Sequence, residues 1–266
     1  MKKRLLCPQL PRKGNPSILT ETEAHHAIRV LRLRDGEIIE AMDGNGHKGF
    51  ATLRIRGGQP RLEFIESEQE APSPQQVKKT SLPIILEMSV LKGDAMEWVV
   101  EKSVELGVQC LIPVLTDYTV VQMKSKSPDS FRERWQKIAD QALKQCGRLE
   151  RLEVRLPMSL ENLLTERIEK KNSTHSSFRL WADETSAGSC PFILNWLNNR
   201  EPSPLPPEIR ILVGPEGGWS SNERLLLTQE SQISPIYRVD LGPQILRAET
   251  AALFAISVVS AQLRLS

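Results

Sequence analysis

Paired cysteines are missing from this chain. Cys7, Cys110, Cys146 and Cys190 lie 36 or more residues apart and form no Cys-x-x-Cys. That spacing argues against a disulfide framework or a thiolate zinc site, and for reduced thiols. Histidine does not fill the gap: His25 and His26 are adjacent, while His47 and His175 stand alone. No metal-ligand spacing results. Long hydrophobic runs are absent too. The longest candidate, AALFAISVVSAQL, is broken by Ser257, Ser260 and Gln262, short of the ~18 apolar residues of a membrane helix. The start, MKKRLLCPQLPRKG, has the charges of a signal peptide without its apolar segment. These absences predict a cytoplasmic protein with no metal and no membrane partner. A large net charge is also lacking. The total is only +2, so the chain as a whole is not an obvious nucleic-acid binder. Its distribution is uneven, however: residues 1–34 carry eight Lys/Arg against two Glu, and residues 131–155 seven against four acids. Such patches suit phosphate as well as they suit a solvated surface.

What is present divides in two. At 266 residues the chain exceeds the usual size of one domain, roughly 100–200 residues. Residues 66–82, ESEQEAPSPQQVKKTSL, are polar and aperiodic and read as a linker. Before them, short strand-like pieces alternate with turns at Asp43-Gly44 and Gly57-Gly58, which predicts a small all-β domain, a barrel, over residues 1–70. The linker proper spans 71–82, and a second domain covers 83–266. There, PIILEMSVL reads as a buried strand. The stretch KGDAMEWVVEKSVELG reads as a helix with Met96, Val99, Val100 and Ser103 on one face and Gly107 as its stop. VQCLIPVL is a second strand. The following helix carries Phe131, Trp135, Ile138, Ala139, Ala142, Leu143 and Cys146 at helical spacing. Further strands are expected at LEVRL, FRLWAD, IRILVG and IYRVDLG, and AETAALFAISVVSAQL closes the chain as a helix. The alternation predicts an α/β domain on a mostly parallel sheet.

Two loops carry the chemistry. In ILVGPEGGWSSNE a strand ends in Gly-Pro-Glu-Gly-Gly, and Ser220-x-x-Glu223 then announces a helix start. Ligands of open α/β sheets bind outside the carboxyl ends of the strands, and this loop lies at such an end. It is not a phosphate cradle: the order is neither G-x-G-x-x-G nor Walker A, and Glu216 would repel a pyrophosphate. In VDLGPQILRAETAALFA a second strand runs into a Gly-Pro turn, with Arg247 and Glu249 heading an otherwise apolar helix. Such charges are costly there unless paired or used. A structural Arg247–Glu249 ion pair is the plain alternative. If the loops lie side by side, they form a pocket with apolar walls and backbone donors and acceptors, suited to a purine and a thioether.

VGPEGGWSSNE and LGPQILRAETA resemble the signature loops of the SPOUT-class methyltransferases that methylate uridine N3 in small-subunit ribosomal RNA. LKGDAMEWVVEKSVELGV and RWQKIADQALKQCGR resemble two helices of that family, and HHAIRVLRLRDGEIIEAMDGNG resembles its N-terminal PUA-like RNA-binding barrel. The resemblance runs through nearly the whole chain in order. It implies an α/β-knot in the C-terminal domain, a deep trefoil formed by the segments around 181–250, which periodicity alone does not reveal. It also implies a homodimer with S-adenosylmethionine as cofactor and 16S ribosomal RNA of the small subunit as substrate. By motif match, Leu212, Gly214, Glu216, Gly217 and Gly218 line one side of the donor site, and Leu241, Gly242, Ile245, Leu246 and Thr250 the other. Arg247 would stabilise the anionic base, and Glu249 would either take its proton or hold Arg247. Arg4, Arg32, Arg34 and Arg148 would hold RNA phosphates. The chain departs from the family pattern at Gln244, usually Arg, and at Ala248, usually Thr. Two other functions fit the same fold: methylation of another RNA position, ribose or tRNA, and a non-catalytic ribosome assembly factor.

Overall fold

The computed structural model describes residues 3–55, 58–65, 82–120, 127–169, 178–186, 188–199 and 208–265. The chain forms two compact units, residues 1–79 with 140–151 and residues 80–139 with 152–266. The 71–82 linker lies outside the described residues apart from Leu82, as does Gly57 of the second expected turn. Residues 140–151 group with the N-terminal unit, a membership that no change of composition announces.

In the N-terminal unit, β1 (Arg4–Leu6), β2 (Ser17–Ile18), β3 (Ile38–Met42), β4 (Lys48–Arg54) and β5 (Arg61–Phe64) form one sheet in the order β1-β3-β4-β5-β2. The Asp43-Gly44 turn joins β3 to β4 as expected. Asp43 Oδ1 accepts from the backbone of Asn45 at 2.7 Å and of His47 at 3.1 Å, while Gly44 takes a φ of +73°. The unit is not all-β. Helix α1 (Glu21–His25), capped by the Thr20 hydroxyl, runs into a π-helical turn at His26–Val30. A five-residue helix is too short to show a period in the sequence, which is why the barrel reading passed over it. Glu23 on α1 is buried and accepts from the Leu6 backbone at 2.8 Å and from Lys144 at 2.8 Å.

The C-terminal unit contains β6 (Ile84–Ser89), α2 (Asp94–Glu105), β7 (Cys110–Leu115), α3 (Pro128–Cys146, whose end groups with the first unit), β8 (Glu153–Val154), β9 (Met158–Ser159), α4 (Leu160–Glu169), β10 (Phe178–Ala182), α5 (Ile193–Asn198), β11 (Ile209–Val213), α6 (Ser221–Ser231), β12 (Ile236–Val239) and α7 (Ala248–Leu265). Every described pairing in its sheet is parallel, in the order β12-β10-β11-β6-β7-β8 with β9 on β7. This is the expected α/β architecture on a parallel sheet, following a small separate sheet in the chain. Strand β6 is buried along its whole length. Its one charge, Glu87, is matched by Arg179 from β10 and by Arg210 from β11 at 3.0 Å. Helix α2 buries Met96, Val99, Val100 and Ser103 as its period requires, and Gly107 ends it at a φ of +90°. On α3 the stripe is looser than the spacing suggests: Trp135, Ala139, Ala142 and Leu143 are buried, Phe131 and Ile138 half-buried and Cys146 exposed. LEVRL shortens to the two residues of β8.

The strand order decides where the site lies. β11 and β12 are not neighbours, because β10 runs between them. The two Gly-Pro loops therefore flank a third loop, at the end of β10, instead of touching each other. Two strand spacings of ~4.8 Å put them roughly 10 Å apart, which leaves room for a ligand between them.

Candidate functional site

A cavity of about 510 Å³ opens over the ends of β10, β11 and β12. On its β11 side the chain turns tightly because it has no room to do otherwise. A Cβ on Gly214 would stand 2.9 Å from the Trp219 ring, and one on Gly217 would stand 3.0 Å from Tyr118. Gly218 has a φ of +71°, which favours glycine, and a Cβ there would collide with the Glu184 carboxylate. Trp219, buried beneath the loop, donates its ring N–H to the Ala182 carbonyl at 2.9 Å. The expected capping box is present: Ser220 Oγ accepts from Glu223 N at 3.1 Å, and Glu223 Oε2 accepts from Ser220 N at 2.8 Å. The same pair reaches the end of β7, where Glu223 Oε1 accepts from Asp117 N at 2.9 Å and Ser220 Oγ donates to Asp117 Oδ2 at 2.5 Å.

The β12 side is more open. Asp240 Oδ1 accepts from Gly242 N at 2.9 Å, and Gly242 sits at a φ of +126° with nothing within 4 Å of where a Cβ would be. Ile245 is 82% exposed. Arg247 is exposed at the head of α7 and Glu249 is half-buried in its first turn; both line the cavity. No ion pair joins them, and among the described residues neither side chain has a hydrogen-bond or ion-pair partner. The structural reading of these two charges therefore fails, and an unpaired arginine is left at the cavity rim.

Between the loops, the end of β10 supplies Asp183 and Glu184, which sequence reasoning missed. The Asp183 side chain is fully enclosed, accepting from Arg224 Nε at 3.2 Å, Arg238 Nη2 at 2.7 Å and the Thr185 hydroxyl at 3.1 Å. Glu184 pairs with Arg224. The only trace in the sequence is a strand running into Ala-Asp-Glu-Thr, which looks like an ordinary surface turn. With Glu216, Asp240 and Glu249, the two bring five carboxylates to the cavity. Asp183 and Glu184 are paired with arginines, which leaves, among the described lining residues, three carboxylates without an ion-pair partner and Arg247 as the basic side chain. That balance suits a ligand with cationic groups.

The structure brings together Gly214, Glu216, Gly218, Leu241, Gly242, Ile245, Leu246, Arg247 and Glu249 around one cavity. Three residues carried over by motif fall elsewhere. Leu212 points into the apolar core on the opposite face from Val213, which does line the cavity, as strand alternation requires. Gly217 backs onto Tyr118. Thr250 is exposed off the cavity side of α7. In the N-terminal unit, Arg32 and Arg34 are exposed, as phosphate contacts must be. Arg4 is engaged within the unit, donating to Glu40 at 2.6 Å and to the Lys144 and Gln145 carbonyls at 2.8 and 3.0 Å. Arg148 is half-buried, and burial lowers its pKa against the opposing pull of Glu150. Among the described residues no cluster of His, Cys, Asp or Glu could hold a metal, and no helix is long and apolar enough to cross a membrane.

Comparison with known proteins follows the same division. The family described as RNA methyltransferase domain matches residues 78–260, and the RNA methyltransferase PUA domain matches residues 19–58. Ribosomal RNA small subunit methyltransferase E of Bacillus subtilis is 28% identical over 251 residues, 93% of this chain and 90% of that protein. The protein of the same name from Synechocystis is 30% identical over 247 residues, 92% of this chain and 73% of that protein. Among solved structures, ribosomal RNA small subunit methyltransferase E of Neisseria gonorrhoeae, bound to S-adenosyl methionine, aligns at a TM-score of 0.74 and 28% identity over 97% of this chain and 96% of that one. A Legionella pneumophila protein in complex with the cofactor SAM aligns at 0.77 and 27% identity over 98% of each.

Proposed function

The chain belongs to the RNA methyltransferase family that includes the ribosomal RNA small subunit methyltransferases E, and from that premise we propose that it methylates N3 of a uridine in 16S ribosomal RNA, using S-adenosylmethionine. The observation that carries this reading is the cavity bounded by the 214–218 and 241–247 loops with Arg247 unpaired at its rim. The residues fit the donor. Val213, Leu241 and Leu246 offer apolar surface, the loops offer backbone groups, and the carboxylates match the donor's cationic groups. Open space beside Gly242 lets a ligand approach the backbone closely.

S-adenosylmethionine supplies an electrophilic methyl group on a sulfonium. The chain's own residues have to ready the base. Uridine N3 must lose its imide proton before it becomes a nucleophile. Arg247, fixed at the start of α7, would stabilise the resulting negative charge on the flanking carbonyl oxygens. Glu249, within the same helical turn and free of Arg247, would accept the proton. The loops would hold donor and base in line, which supplies the entropic part of the rate.

A second copy of the chain completes the rim in this reading, since Ile245 at 82% exposure is an apolar residue that a partner would cover. Arg32 and Arg34 hold RNA phosphates on the N-terminal unit. The reaction takes place in the cytoplasm, where the substrate is made. Mass spectrometry of ribosomal RNA nucleosides from a deletion strain tests the function. Loss of 3-methyluridine supports it, and loss of a 2′-O-methyl mark with 3-methyluridine intact would overturn it. A purified protein that binds no donor in calorimetry would instead be an assembly factor.

A further inference from the structure

Arg224 lies on α6 outside the cavity wall, and no motif singles it out. Its guanidinium nevertheless makes three contacts, and all of them go to the loops that shape the cavity. Nε donates to Asp183 Oδ1 at 3.2 Å, a second nitrogen pairs with Glu184, and the third donates to the Trp219 carbonyl. Asp183 and Glu184 follow β10, whereas Trp219 ends the loop that follows β11. One planar group thus ties two cavity walls together. An ordinary surface ion pair joins one partner and is heavily solvated. This side chain is 26% exposed, and its Asp183 partner is fully enclosed.

What the tie fixes is visible at Gly218. The Glu184 carboxylate occupies the place a Cβ would take there, so glutamate and loop backbone are fitted to each other. Without Arg224, Glu184 has no ion-pair partner among the described residues. Asp183 retains Arg238 and Thr185, so the end of β10 itself stays anchored. The Trp219 carbonyl loses a donor at the point where the loop becomes helix α6. The expected defect is local: the Glu184 and Gly218 side of the cavity loosens while the sheet and its core remain.

We propose that Arg224 is a positioning residue for the methyl donor, acting through Glu184, Asp183 and the Trp219 carbonyl to hold the β10 and β11 loops at binding distance. This rests on the donor-binding reading of the cavity. Its requirement is shape as well as charge, because only a guanidinium fork reaches three acceptors in a plane, and lysine cannot replace it.

Arg224→Gln and Arg224→Lys should each weaken binding of both S-adenosylmethionine and the demethylated product by tenfold or more in calorimetry. KM for the donor should rise in step, while kcat at saturating donor and KM for RNA stay within twofold of wild type. A simple charge effect has the opposite sign, because loss of the cation beside Glu184 would strengthen binding of the sulfonium donor; weaker binding of both donor and product therefore marks positioning. If Arg224→Lys restores donor affinity, or Arg224→Gln binds within twofold of wild type, the proposal is wrong. Should Arg224→Gln fail to fold, Glu184→Gln removes one arm of the same tie and should show the same donor defect; wild-type affinity in that variant would equally overturn it. A wild-type protein that binds no donor would instead sink the functional reading itself.

Discussion

At the head of α7, Arg247 has no described partner and stands in solvent, so it adds little to folding stability. Its replacement by glutamine should leave the melting temperature unchanged and donor affinity nearly so. Single-turnover methylation should fall by about 10²–10³, the usual loss when one fixed group opposite a developing oxyanion is removed. A folded, donor-binding Arg247→Gln protein with wild-type turnover would end its assignment. In the N-terminal unit, Arg32→Ala and Arg34→Ala should each lower the salt slope of RNA affinity by about 1. Arg4→Ala should instead lower stability, because Arg4 already serves Glu40 and two carbonyls; RNA titrations over a salt series and thermal melts distinguish the two kinds of arginine. The sequence held most of the site's residues, because two runs of consecutive residues make most of its wall. It did not say which way each side chain faces. Leu212 and Val213 are equally apolar neighbours, yet only Val213 lines the cavity. Asp183 and Glu184 carry no motif at all; they reach the cavity because β10 runs between β11 and β12.

Long periodic elements were readable and short ones were not. Helix α2 buries the four residues that its spacing singled out, because twelve residues give a 3.6-residue period more than three turns to declare itself. Helix α1 has five residues, and β8 and β9 have two each; such elements are set by tertiary packing and not by local pattern. The start of α6 was legible because capping chemistry is local, with acceptor and donor three residues apart. Ser220→Ala should cost about 1–2 kcal/mol, since the hydroxyl caps α6 and also bonds Asp117. That corresponds to a midpoint lower by about 2–4 °C per kcal/mol for a chain of this size. Differential scanning calorimetry would detect it, and an unchanged midpoint would mean the two bonds add nothing.

Across the whole C-terminal sheet, one buried charge cluster links three strands. Burial alone would raise the Glu87 carboxyl, but the Arg179 and Arg210 guanidinium groups override it and hold it below its ordinary 4.5. A carboxyl whose pKa is depressed by folding stabilises the fold above the unfolded value. That contribution is lost as pH falls below 4.5 toward the folded value. Urea unfolding at pH 7 and at pH 3 should therefore show a larger loss for wild type than for Glu87→Gln. At pH 7 the variant should be weaker by about 3–5 kcal/mol, because it strands buried arginine. Equal pH dependence in both proteins would remove Glu87 from the acid response. The strand order has a consequence in time as well as in space. β12, the last described strand of the sheet to be synthesised, lies outside β10, and the 241–247 loop and α7 follow it in the chain. A chain made only as far as α6 would therefore carry the other strands of the sheet but no wall on the β12 side of the cavity. The residues that close that side come from the last strand of the sheet and the turn into α7, so a chain cut before Ile236 should bind no methyl donor even where the other strands pair.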